Sequence, residues 1–213
     1  MLALKLRPPP RACLGAEHEV LAEALRDGVN LAVWQRVLTP EVQGFVAVLL
    51  ARGVAITESL ILEPDSEGRC QLEQILAPHA GWPGYAAFME DLRWLSEAFV
   101  CLLGAQRVGL RLRSLDKPMC PRFHVDHVPL RLITTFAGVA SEWLEEGGMD
   151  RRRLGEAAAE PRDGECIQRL EAGWVALAKG EKWPGNEGAG LIHRSPTLPP
   201  GERRMLLTLD WLA

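Results

Sequence analysis

Past residue 104 the apolar pattern of this chain changes period, and that change constrains its fold more than any other feature. The segment YAAFMEDLRWLSEAFVCLLG places Phe88, Leu92, Leu95, Phe99 and Leu102 three or four residues apart, one stripe of an α-helix that stops at Gly104. The next segment, RVGLRLRSL, alternates apolar and basic residues, the period of a strand with one buried face. RFHVDH, LRLITTFAG, GWVALAKG, GAGLIHRS and RRMLLTLDWL follow as further strand candidates. Before the switch, LTPEVQGFVAVLLARG has Thr39 as an N-cap, Pro40 at the first helical position and Gly53 as a stop. EVLAEALRDG is a shorter helical pattern. Helices first and strands afterwards predict an α+β fold: a helical N-terminal region over 1–104 and a strand-rich core over 105–213, together one compact domain.

A chain of 213 residues, 47% hydrophobic and 24% charged, has enough apolar residues for such a core. Its net charge of −4 leaves no basic footprint for nucleic acid, and no apolar run reaches bilayer length. The opening MLALKLRPPPRACLG is broken by three prolines and does not read as a signal peptide. Five cysteines without a CxxC pair point to reduced thiols and a cytoplasmic location. The charged segment from Glu145 to Asp163 lacks strong periodicity and is a candidate lid.

The chemistry concentrates in CPRFHVDHVPLR, residues 120–131. Residues two apart on a strand share a face, so His124 and Asp126 would project together while Val125 points away. HxD alone recurs often as a polar turn; a third ligand on a later strand gives it weight, and His193 in GLIHRSP is that candidate. Two histidines and a carboxylate on one face, with open positions opposite, form the ligand set of mononuclear non-haem Fe(II) oxygenases. The same donors bind Zn(II) more tightly than Fe(II) at equilibrium, so they do not choose the metal.

The ordered series HVD, RLITTFAG, GWVALAKG, LIHRSP and RRMLLTLDW resembles the core of the Fe(II)/2-oxoglutarate-dependent dioxygenase superfamily. More closely, FHVDHVPLRLITTF, KGEKWPG and IHRSP, with NLAVWQR at 30–36, resemble an uncharacterised bacterial family of unknown function. The resemblance implies an N-terminal helical layer packed on a double-stranded β-helix, a cupin-like jelly roll. It implies Fe(II) on His124, Asp126 and His193, and Arg204 or its neighbour Arg203 as the anchor of the far carboxylate of 2-oxoglutarate. Arg204 shares a strand face with Leu206, Thr208 and Asp210, and Arg203 with Met205, Leu207, Leu209 and Trp211, so the more polar face favours Arg204. The implied activity is a hydroxylase with an unknown substrate. Two departures stand out: no glycine-rich segment follows the third core strand, and Asp210 stands where the superfamily sometimes has a second arginine. The alternatives are a cupin-like protein of metal homeostasis that holds zinc or iron without catalysis, and a module that has kept the fold and lost the chemistry.

Other residues carry weaker expectations. His127 reads as a supporting or turn residue. Arg111 and Arg113 share a strand face, which fits either an anionic substrate or a solvated surface. Lys179 fits either the barrel mouth or an ordinary strand end, Trp94 and Trp143 read as core, and Trp183 is a candidate wall of a substrate pocket. Cys120 lies near the histidines without any sign of an oxyanion hole.

Overall fold

The computed structural model describes residues 9–162 and 166–212. In chain order its elements are β1 (Arg11–Gly15), β2 (Val29–Trp34), α1 (Pro40–Ala51), β3 (Thr57–Leu62), α2 (Tyr85–Leu103), β4 (Val108–Leu115), β5 (Leu130–Ala137) and β6 (Glu142–Leu144). They continue as β7 (Ile167–Arg169), β8 (Val175–Lys179), β9 (His193–Arg194) and β10 (Arg204–Trp211). Seven strands form one sheet in the order β1-β2-β8-β5-β10-β4-β3, and β7-β6-β9 form a second. The fold is therefore α+β with a large, mostly antiparallel sheet; only β1 and β2 run parallel.

Local signals explain the helices. Thr39 caps α1 by accepting from the Val42 N–H, and Pro40 opens the first turn. The helix α2 ends at Gly104 in the left-handed region, where its N–H returns to Cys101 and Val100. Its stripe buries Phe88, Leu92, Leu95 and Phe99.

Strand alternation sorts the large sheet into two faces. Leu110, Leu112, Leu130, Leu132, Phe136, Val175, Leu177, Met205, Leu207 and Leu209 join the core formed with α1 and α2. Leu31, Val33, Ile133, Ala176, Ala178 and Leu206 meet Trp143 and Leu191 on the other side, where the small sheet lies. Each fully buried leucine or phenylalanine contributes about 1.5–3 kcal/mol, so a sheet covered on both faces is held chiefly by apolar burial. No ladder joins the two sheets among the described residues.

Several expectations need correction. The region 1–104 is not purely helical: β1, β2 and β3 come from it and join the same sheet as the later strands. β2 is buried on nearly every side chain, so VNLAVW, apolar except for Asn30, lacks the alternation that marks a half-exposed strand. The shorter helical pattern in EVLAEALRDG is a 3₁₀ helix, His18–Leu25. RFHVDH is no strand; only His124 makes a bridge, and Pro118, Pro121 and Pro129 limit the ladder donors around it. Trp143 is core, but Trp94 is 39% exposed and packs against Trp34 and His18. Trp183 packs on Trp211 on the helical side of the sheet, over the buried Lys179, whose ammonium donates to the Arg26 carbonyl at 2.8 Å. Neither walls the pocket described below.

The candidate lid, described up to residue 162 with Asp163 outside the described residues, is docked. Met149 is buried with Phe123, Leu144 and Ile192, Arg151 donates to the Gly190 carbonyl at 2.8 Å, and Glu160 accepts the Phe123 N–H at 3.2 Å. It braces the back of the histidine-bearing segments. No described helix is long and apolar enough to cross a membrane.

Candidate metal centre

His124 and His193 meet backbone to backbone. Each N–H donates to the other's carbonyl at 3.0 Å, and the rings lie 4.6 Å apart. Nδ1 of His124 is 2.9 Å from the Arg122 carbonyl, and Nδ1 of His193 is 3.1 Å from that of Leu191. A carbonyl only accepts, so in a neutral ring at either position Nδ1 carries the proton and Nε2 the lone pair.

Asp126 is placed by contacts of its own segment with the end of β8. Glu181 N–H donates to the Asp126 carbonyl at 2.9 Å, and Gly180 N–H to that of Pro129 at 3.0 Å. A Cβ on Gly180 would lie 2.1 Å from the Val128 oxygen and 2.6 Å from that of Asp126, so only glycine permits this approach.

His124, Asp126 and His193 each offer a ligand atom within 4.8 Å of the others. The two oxygens of Asp126 have different surroundings. Oδ1 accepts from Arg131 at 2.7 Å. Oδ2 is buried without a hydrogen-bond partner and stands 3.3 Å from Nε2 of His193. An orphaned carboxylate oxygen beside the His193 ring, with His124 Nε2 3.7 Å from the other oxygen, is an arrangement that a divalent cation would satisfy. Burial works to raise the Asp126 carboxyl, but His193, Arg131 and His124 outweigh it and hold it below its ordinary value. Burial, and then the neighbouring His193, lower His124. The lowering of His124 favours the neutral imidazole a metal requires, and Arg131 on Oδ1 favours the ionised carboxylate.

Arg131 extends this group into the sheet. Its Nε and one terminal nitrogen hold Asp210 at 2.5 and 3.0 Å, and Asp210, 1% exposed, also accepts from Arg111 at 2.8 Å. Arg131 and Asp210 are direct partners across β5 and β10. Arg131, the second residue of β5, thus anchors the Asp126 carboxylate. Its only sequence signal is a charge at the head of an otherwise apolar strand.

Arg204 is the largest fully buried side chain. It reaches only neutral acceptors, the Val139 carbonyl at 3.4 Å and the Ser195 hydroxyl at 3.3 Å, and its Nε has no partner. Burial pushes its guanidinium down to about 10. The close pass of Gly138, whose Cβ would sit 2.7 Å from that of Arg204, and a bulge between Met205 and Leu206 bring it to this place. A single pocket is lined by His124, His193, Arg204, Ser195, Leu206 and Thr208, with Arg111, Arg113, Arg131 and Arg194 also on its walls. Arg203 is elsewhere, bonded to the Val54 carbonyl and Ser114 hydroxyl on the opposite face. His127 is exposed and outside the pocket, whereas Cys120 lies on its wall. No residue of 145–162 lines it.

The fold has solved relatives. The dioxygenase for auxin oxidation 1 of Arabidopsis thaliana, solved as a binary complex with 2-oxoglutarate, superposes with a TM-score of 0.51 at 10% identity, covering 97% of this chain and 93% of that one. The dioxygenase for auxin oxidation of rice gives 0.50 at 14% identity, covering 97% and 83%. Similarity at this level is one of fold. No curated protein sequence matches the chain. Residues 15–210, nearly its whole length, match the family described as protein of unknown function (DUF1826), and the chain belongs to that family.

Proposed function

We propose that the protein is a mononuclear Fe(II)/2-oxoglutarate-dependent oxygenase whose two sheets are a distorted double-stranded β-helix. The observation that carries this reading is Arg204: a fully buried guanidinium with no carboxylate partner among the described residues, on the wall of the pocket that holds His124 and His193. Taking such a charge out of water is costly unless an anion meets it, and a planar fork suits a carboxylate. A protein that merely holds zinc or iron needs the three ligands and has no use for this arginine.

In this reading Nε2 of His124, Nε2 of His193 and Oδ2 of Asp126 hold the ion. When bound, iron supplies the activation of dioxygen coupled to decarboxylation of the keto acid. Arg131 occupies Oδ1 of Asp126 and so leaves one oxygen for the ion. Arg204 and the Ser195 hydroxyl receive the distal carboxylate, and Ile133 and Leu206 form an apolar wall that keeps water from the pocket floor.

Anaerobic addition of Fe(II) and 2-oxoglutarate tests the reading. The expected result is the visible charge-transfer band of a chelated keto acid, lost or strongly weakened in Arg204→Gln at equal iron content. Wild-type protein with stoichiometric iron and no band would rule out the co-substrate.

A further inference from the structure

The pocket walls carry five arginines: Arg111, Arg113, Arg131, Arg194 and Arg204. Their charges are not all balanced by the protein. Arg194 is met by Glu142 at 2.8 Å and Glu160 at 3.0 Å, with Arg169 completing that group on Glu142. Asp126 and the dianionic keto acid would neutralise a divalent ion together with Arg204. Arg111, Arg113 and Arg131 then remain against one carboxylate, Asp210. A loaded site would keep an excess of two positive charges along one strand face.

That excess sits on Arg111 and Arg113. On β4 they alternate with Leu110 and Leu112, which are buried in the helical core, so both turn to the pocket. Across the ladder they stand opposite Thr208 and Leu206, the same face of β10 that presents Arg204. Arg113 donates to the Glu58 and Leu112 carbonyls and to the Ser59 hydroxyl at 2.7 Å. These neutral acceptors hold its guanidinium in place without discharging it, and it makes no ion pair among the described residues. The Arg111 side chain, on the same pocket wall, is 43% exposed, whereas Arg204 is 1% exposed. Two residues along a strand are about 6.8 Å apart, close enough for both forks to meet one anionic group. A basic strand face that only met solvent would have no reason to line the cavity that His124 and His193 also line.

We propose that Arg111 and Arg113 form a second anion site at the pocket mouth, and that the substrate carries a carboxylate or phosphate which docks there. The word substrate rests on the oxygenase reading; the anion site itself does not. Arg204 takes the inner anion and the β4 pair takes the outer one, with the candidate metal ligands between the pocket walls.

The test is calorimetric titration at low ionic strength of phenyl phosphate, and separately of benzoate, into anaerobic protein loaded with Fe(II) and 2-oxoglutarate. At least one probe is expected to bind the wild type with a dissociation constant in the millimolar range or tighter. Loss of charge-assisted bonds in Arg111→Gln/Arg113→Gln should weaken it by about tenfold or more, with Arg113→Lys retaining part of the affinity. Arg203→Gln, an arginine outside the pocket, should change nothing. Preference for phenyl phosphate or for benzoate supports the site and names its anion. Binding of neither probe to the wild type, or equal binding to wild type and double variant with native circular dichroism, overturns the proposal. If the wild type shows no keto-acid band, the titration is repeated with Zn(II) alone. Arginine-dependent binding there keeps the anion site while the oxygenase reading falls, and its absence removes both.

Discussion

Replacing Arg204 by methionine should make the metal-free protein more stable, the opposite of what most core substitutions do. Arg204 is 1% exposed, has only two long hydrogen bonds to neutral oxygens, and leaves Nε without a partner. Burial pushes the guanidinium down to about 10, a penalty on the charged form on the order of 3 kcal/mol. Methionine is about two atoms shorter but has no charge to desolvate, and its flexibility lets it take up much of the space beside Leu206. Some apolar contact and the two weak bonds are lost, so a net gain of about 1–3 kcal/mol is expected. For a chain of this size that raises the melting temperature by roughly 3–10 °C. The assay is urea unfolding of chelator-treated wild type and Arg204→Met, repeated with saturating Fe(II) and 2-oxoglutarate under argon. At a keto-acid concentration of about 100 times its dissociation constant, the wild type should gain about 2.7 kcal/mol from that ligand and the variant almost nothing. Destabilisation of the metal-free protein by Arg204→Met would refute the reasoning, because it would make Arg204 a structural residue whose charge is already compensated.

Further predictions follow from the same geometry. His124→Ala and His193→Ala should each lose stoichiometric iron or zinc by elemental analysis; metal content unchanged in both would remove the three-residue site. Arg131→Met leaves Asp210 with Arg111 alone and Asp126 Oδ1 unpaired, and should cost about 3 kcal/mol by denaturant unfolding. A double-mutant cycle with Asp210→Asn should show coupling well above 1 kcal/mol, and additive effects would contradict the network. Gly180→Ala should displace the Asp126–Pro129 segment, lowering metal occupancy and thermal stability together, since the added carbon meets two carbonyl oxygens. Burial raises the Glu142 carboxyl, but Arg169 and Arg194 outweigh it and lower its native pKa. Its stabilisation is therefore complete above the ordinary glutamate value and is lost as pH falls through the lowered native one. Glu142→Gln should flatten that part of the acid limb of stability against pH.

The legible parts of this protein are those where a residue's role depends on its close neighbours in sequence. The α2 stripe, the Thr39–Pro40 start of α1 and the alternation of β4 each reflect contacts or directions repeated within one element. The parity of β10 separated Arg204 from Arg203, because side chains on a strand alternate faces whatever the strand pairs with. β2 was missed because burial on both sides erases that alternation. Trp94 was misplaced because a large aromatic on a helix stripe does not reveal that the stripe's edge faces solvent. The role of Arg131 was invisible because Asp210, the partner that fixes it, lies 79 residues away.

The amino-acid sequence alone therefore determined an α+β chain, an HxD pair with a later histidine, and an arginine on the polar face of the last strand. Tertiary structure decided that the two histidine backbones pair, that Asp126 keeps one oxygen without a hydrogen-bond partner beside the His193 ring, and that Arg204 is buried without a carboxylate partner among the described residues. Those facts depend on strand register and on close passes such as that at Gly180, where an added Cβ would lie 2.1 Å from the Val128 carbonyl oxygen. Periodicity states which way a side chain points; only the register of distant segments states what it meets.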